Sequence, residues 1–305
     1  MPGRSLWADA RRRLLRDWTA RICLGVIAFY ALIAVGAAVY EQVAKHHPNV
    51  PTFQEMADYD HQNEAPSLRS WTTILGTDWA GKSVLVKTLL GAKVSMSVGL
   101  IANLIAVPIG VILGAIAGYY GGKIDAFIVW LFSTLASIPG IVLLIAMKYA
   151  FKGVKIGWLD LGGIHGIYIA LGVISWIGAC RLVRAETMKI RELEYCLAAR
   201  AAGRGRFAIL LRHVLPNVSH IAIIRFSLGF VGAVQAEVIL SYLELGVAVG
   251  QASWGTMITN AKMDIVAGRL WEPTAAVVAM FFLVLALNIF GDRLRDALDP
   301  RLKNV

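Results

Sequence analysis

The chain has 305 residues, of which 57% are apolar and only 16% charged, and its mean hydropathy is +0.63. Soluble domains carry about 25% charge, so the composition excludes an ordinary water-soluble domain and points to a chain solvated by lipid. The net charge of +10 fits either a nucleic-acid footprint or cations held on one side of a membrane. Basic segments alternate with long apolar spans, which selects the membrane and excludes nucleic acid.

A bilayer core about 30 Å thick needs about 20 apolar helical residues. Residues 1–21 form a basic tail with Arg4, Arg11, Arg12, Arg13, Arg16 and Arg21, followed by a first span over Ile22–Tyr40. A cleaved signal peptide has an apolar core of about 7–15 residues. The run over 22–40 is longer, so an uncleaved anchor is expected.

Residues 41–93 read as an outer segment carrying a surface helix, because Val84, Leu85, Thr88 and Leu89 recur at helical spacing. The run Gly76-Thr-Asp-Trp-Ala-Gly81-Lys82-Ser83 matches the phosphate-loop pattern, in which backbone N–H groups cradle phosphates and the lysine reaches the β/γ oxygens. That pattern works between a strand and a helix of a parallel sheet, and no such context surrounds it. It is read as a decoy, with no nucleotide or other cofactor bound by this chain.

The second span, Val94–Gly118, has a small residue at every fourth position: Ala102, Ala106, Gly110, Gly114 and Gly118. This spacing keeps one helical face and lets a neighbouring helix approach closely. Gly110, Gly114 and Gly118 are therefore candidates for helix packing or for the translocation pathway. The third span, Ala126–Ala146, contains Pro139, and the fourth is Ile164–Val183.

The fifth span, Ile221–Tyr242, holds Arg225 and Glu237 on one stripe with Gly229, Ala233 and Ser241. Twelve residues separate the two charges, about 18 Å along a helix, so they cannot pair within it. Arg225 lies near the span's end, where snorkelling is an equal explanation. Glu237 lies deeper and is the candidate inward-facing group. The sixth span is Thr274–Gly291, and residues 94–305 form a core of five spans.

With the N-terminus inside, segments 1–21, 119–125, 181–217 and 292–305 carry 19 Lys/Arg, against 10 in the longer outer segments. The bias places both termini in the cytoplasm. Cys23, Cys180 and Cys196 lack metal-ligand or disulfide spacing. The six histidines are scattered, and no catalytic set follows from spacing.

The loop 184–217 is the most informative stretch. Glu194 to Ala202 favours a helix, Gly203 and Gly205 supply a turn, and Phe207 to Val214 suits a second short helix ended by Pro216. Its apolar residues require a partner. Ala198, Ala199, Gly203, Leu215 and Pro216 resemble the "EAA" signature, EAA-x3-G-x9-I-x-LP, of binding-protein-dependent ABC importer permeases. Leu197 and His213 stand where the signature has Glu and Ile. Glu194-Tyr195, the run Ala198-Ala199-Arg200-Ala201 and Arg212 to Asn217 resemble the dipeptide/oligopeptide/nickel branch. So do Leu75 to Asp78 with Gly81, Gly118 to Gly122, Ser253-Trp254-Gly255, and Gly291-Asp292 through Asp299 to Leu302. Lys82-Ser83 replaces the branch's Arg-Asp, which explains the false phosphate loop.

The resemblance implies an all-α membrane permease with six spans, the type I importer fold, in the bacterial inner membrane. Glu194, Ala198, Ala199, Arg200, Gly203, Leu215 and Pro216 would couple it to an ATPase. Its implied partners are a second permease subunit in a heterodimer (the C-terminal tail resembles the C-type subunit), two ATP-binding-cassette ATPases that bind the ATP, and a periplasmic solute-binding protein. It implies a transport subunit with no ATPase site of its own, moving peptides or a related small solute. A secondary transporter or channel acting alone is the rival. It calls for an internal repeat, and none is visible.

Overall fold

In the computed structural model, residues 6–157, 159–247 and 251–298 are described. Asp17 separates an amphipathic helix α1 (Leu6–Arg16) from α2 (Trp18–His46). Its carboxylate caps α2 by accepting from the Thr19 N–H at 2.9 Å, which satisfies one of the helix's orphan donors. An irregular segment with one 3₁₀ turn leads to α3 (Val84–Tyr120). Then follow α4 (Gly122–Ala136), α5 (Gly140–Ala150), a two-stranded hairpin β1–β2 (Lys155–Ile156, Leu159–Asp160) and α6 (Ile164–Ile190). Beyond α6 lie α7 (Glu194–Ala201), α8 (Arg206–Ile209), a π-helical turn over Leu210–Val214, α9 (Leu215–Tyr242), α10 (Trp254–Val266) and α11 (Trp271–Leu298).

Five stretches are long and apolar enough to cross a membrane: α2, α3, α6, α8 through α9, and α11. The sixth, expected as one span over Ala126–Ala146, is instead α4 and α5 meeting at a bend of 87°. Pro139 starts α5 rather than sitting inside a helix. Proline drives the residue before it out of the helical region, so Ile138 cannot continue α4. The surface helix expected near Val84 is also revised, because those residues begin α3, which runs unbroken through Pro108.

α3 is the central element. Ala102 and Ala106 are 1% and 2% exposed, and the glycines of the same stripe lie directly on α6. A Cβ at Gly110 would come 2.6 Å from the Trp176 carbonyl oxygen. One at Gly114 would come 2.6 Å from the Cys180 oxygen, and one at Gly118 2.6 Å from the Arg184 oxygen. Close backbone approach supplies dispersion contacts where lipid removes the hydrophobic drive between helices. The Arg184 guanidinium then clamps Asp125 of α4 with two bonds, 2.5 and 2.6 Å.

The opposite end is tied by side chains. The Trp254 indole N–H donates to the Thr88 carbonyl of α3 and the Trp271 indole to the Thr77 carbonyl, both at 2.9 Å. Lys87, on the first turn of α3, bonds Asp78 at 2.9 Å and Glu272 of α11 at 2.5 Å. All three side chains are buried. The segment between α9 and α11 also contains α10, which went unread in the sequence. Ser253 caps it in a capping box with Thr256, and Trp254 and Met257 are fully buried on its inner face.

Candidate functional site

The loop between α6 and α9 folds into a helical knob. α7 ends at Gly203, whose φ of +74° lies in the left-handed region that glycine enters at no cost. The Arg204 N–H bonds back to the Ala199 carbonyl at 3.1 Å, the six-to-one closure of a Schellman turn. Chain direction then reverses into α8.

Here the second half departs from expectation. Pro216 does not end a short helix. It lies in the first turn of α9, directly after the π turn, and supplies no N–H to the turn before it. α8 joins α9 through the π turn, so the second arm of the knob is continuous with the fifth span. Cys196, Ile209, Leu210 and Val214 point inward and pack with Ala115 and Tyr119 of α3 and Val183 and Ile190 of α6. The knob is thereby seated on one end of the bundle.

The outward side of the knob is apolar and uncovered. Tyr195, Leu197, Phe207 and Leu211 are 40%, 42%, 64% and 46% exposed. Ala198 lies on this face, with Ala199 partly covered, and Glu194, Arg200, Arg204 and Arg206 are exposed around it. Leu215 is partly covered and Pro216 exposed at the base. Apolar patches rimmed by polar groups mark interaction sites, and this one lies on a short element held between two spans.

Glu237 is fully buried on α9 and accepts from the Ser241 hydroxyl at 2.7 Å. Ser241 in turn offers its carbonyl to Thr259 of α10 at 3.0 Å. The structure therefore links Glu237 to α10 through Ser241. Arg225, on the same stripe, packs its guanidinium against Gly178 of α6. Ala233 is buried against the α3–α6 contact region. Gly110, Gly114 and Gly118 lie in the α3–α6 seam, away from both the knob's outward face and Glu237.

The phosphate-loop run is occupied by the chain's own groups. Asp78 Oδ1 accepts from the N–H groups of Ala80 and Lys82, both at 2.9 Å, so these backbone donors are already used. Ser83 caps α3 and donates to the Thr72 carbonyl at 2.5 Å. The Lys82 ammonium sits 4.5 Å from the Phe53 ring centroid, and burial pulls its pKa below the usual lysine value. Lys82→Ala is accordingly expected to leave transport within about twofold of the parent. Loss of a nucleotide analogue's binding on that change would restore the phosphate-loop reading.

The ion cluster of Asp78, Lys87 and Glu272 escaped the sequence reading. Its signal was present: a lysine in the run Val84–Val94 and a glutamate beginning an apolar span both need partners. Of the C-terminal motif, residues 299–302 lie outside the described residues.

The described residues form a helical bundle of membrane-length spans with an uncovered apolar knob on one end. Residues 110–304 match the family described as binding-protein-dependent transport system inner membrane component. Residues 5–66 match the N-terminal transmembrane domain of oligopeptide transport permease C. The oligopeptide transport system permease protein OppC of Haemophilus influenzae is 34% identical, covering 99% of this chain and 90% of that one. The dipeptide permease DppC of Bacillus subtilis is 33% identical over 99% and 88%. The glutathione permease GsiD of Pectobacterium atrosepticum is 33% identical over 99% and 93%. Among solved structures, an inward-facing MetNI methionine ABC transporter aligns with a TM-score of 0.52 at 19% identity, covering 71% of this chain and 96% of that one; this likeness concerns the fold. The chain belongs to the family of binding-protein-dependent transport system inner membrane components, as a C-type permease. It is a permease subunit of an ATP-driven importer, and the ATPase activity of such importers belongs to separate subunits.

Proposed function

We propose that this permease moves peptides across the bacterial inner membrane, with both termini cytoplasmic. It pairs with a second, different permease subunit, two ATPases and a periplasmic binding protein. The relatives that cover nearly the whole chain are permeases of oligopeptide, dipeptide and glutathione systems, which supports a peptide-type solute. The Lys/Arg bias supports the orientation. A thiol reagent confined to the periplasm should leave an Arg200→Cys variant unlabelled, and labelling there would reverse the topology.

The knob carries the mechanism. ATP-driven closure of the ATPase pair displaces α7, whose uncovered Leu197, Ala198 and Tyr195 sit in a groove of that partner. Because α8 is continuous with α9 and α7 follows α6 closely, the displacement reaches two spans directly. A bundle with two discrete packings then switches between inward and outward states.

The test is Gly203→Val. A Cβ at Gly203 meets nothing within 4 Å, so crowding is not the difficulty. The positive φ is, since a β-branched residue is a strong outlier there. The turn between α7 and α8 would open while the spans insert normally. Peptide uptake in reconstituted vesicles is expected to fall at least tenfold, with ATP hydrolysis either uncoupled or lost. Gly203→Asn, which tolerates that backbone region, should retain most uptake. Normal coupled uptake by Gly203→Val would rule out the knob's role.

A further inference from the structure

A groove opens at the end of the molecule that carries α1. Leu14 of α1, Leu24 of α2, and Phe290 and Leu294 of α11 line it, together with Arg11 and Arg21. Its volume is about 230 Å³. Among the described residues, no acidic side chain lines it. The nearby carboxylates face elsewhere: Asp17 caps α2 and pairs with Arg293 at 3.4 Å, and with Asp296 it borders a separate depression beside Arg13. Arg21 stacks its guanidinium 4.8 Å from the Trp18 ring centroid. Among the described residues, neither Arg11 nor Arg21 has a carboxylate partner.

From these observations we propose that the groove is a binding site for an anionic phospholipid. Its phosphate would lie between Arg11 and Arg21, and an acyl chain would lie on Leu24, Phe290 and Leu294. Two features select lipid over a free anion. The floor is apolar, and α2, which forms one wall, carries the exposed apolar residues Phe29 and Leu32, 60% and 72% exposed. Among the described lining residues there is also no hydroxyl or amide side chain for a hydrated phosphate. Charge complementarity selects the headgroup, because unpaired arginines beside a membrane attract anionic lipid. Guanidinium groups grip phosphate oxygens with paired donors. Bound there, one lipid would bridge α1, α2 and α11 and hold the N-terminal helix against the bundle.

The assembled importer, purified with its partner subunits, is to be equilibrated with vesicles of equal phosphatidylcholine and phosphatidylglycerol. Retained lipids are then counted by native mass spectrometry. The parent is expected to keep phosphatidylglycerol preferentially. Each arginine near a membrane surface is worth about fivefold in affinity, so Arg11→Gln with Arg21→Gln should reduce the preference by about 25-fold. Arg12→Gln with Arg13→Gln removes the same charge outside the groove and should change it by less than about twofold. All four side chains are exposed, so none of these changes disturbs the core. Several results would overturn the proposal: no headgroup preference in the parent, an equal loss from both pairs (diffuse attraction alone), or displacement of the lipid by millimolar inorganic phosphate. Absence of any retained lipid in the assembly would mean that a partner subunit covers the groove, and would equally refute it.

Discussion

Lys87→Met is expected to destabilise the permease by about 3–5 kcal/mol, the usual cost of removing one partner from a buried ion cluster. Lys87 is 5% exposed, and the carboxylates it bonds, Asp78 and Glu272, are 3% and 1% exposed. Its ammonium is the cation bonded to both. Without it, two carboxylates that share one site face each other away from water. Glu272 already has one oxygen with no hydrogen-bond partner among the described residues, so it has no alternative contact ready. The loop 76–83 and the first turns of α3 and α11 should separate. The thermal transition in detergent should fall, and purified material should aggregate. The triple variant Asp78→Asn, Lys87→Met, Glu272→Gln should recover most of the loss, because neutral groups of the same shape no longer repel. A single variant that melts like the parent would show that the cluster contributes no stability.

Gly114→Val should also be damaging, for a different reason. Its Cβ would lie 2.6 Å from the Cys180 carbonyl oxygen and 3.0 Å from the Val183 Cβ. The first is backbone in the middle of α6 and cannot rotate away. α3 and α6 would have to part along the seam, and overpacking of this kind costs about 1–3 kcal/mol or more. Gly232 of α9 is the control, since a Cβ there meets nothing within 4 Å. Gly232→Ala should be neutral or stabilising by up to about 1 kcal/mol from helix propensity. Monodisperse yield and the melting temperature of the two variants make the comparison. Equal behaviour would remove the packing role from the stripe.

The apolar counts located the membrane segments well, because length and hydropathy are properties of one contiguous stretch. Ile22–Tyr40 falls inside α2, and Val94–Gly118 inside α3. The turn at Gly203 was legible for the same reason, as a local backbone requirement written in a single residue. The 87° bend was not, because Pro139 is tolerated within some membrane helices and breaks others according to the neighbours that re-satisfy freed carbonyls. The two ends of the bond between Lys87 and Glu272 are 185 residues apart, so no local pattern announces their meeting. The run Leu270-Trp-Glu-Pro-Thr274 fastens this end of the bundle, where Trp271 bonds the Thr77 carbonyl and Glu272 bonds Lys87. The continuity of α8 with α9 was hidden because a π turn has no composition of its own, and Pro216 reads equally as a stop or as a first helical turn.

α3 has one further property. Lys87 near its start holds the outer loop and α11, while Tyr119 near its end packs with the residues that seat the knob. Thirty-two residues separate them on one helix, about 48 Å at 1.5 Å per residue, well beyond the hydrocarbon thickness of about 30 Å. A helix transmits axial force far better than a loop does, so α3 has the build of a connecting rod with a grip near each end. Load applied at either end would reach the other through covalent geometry and backbone hydrogen bonds, without first having to repack the bundle's interior.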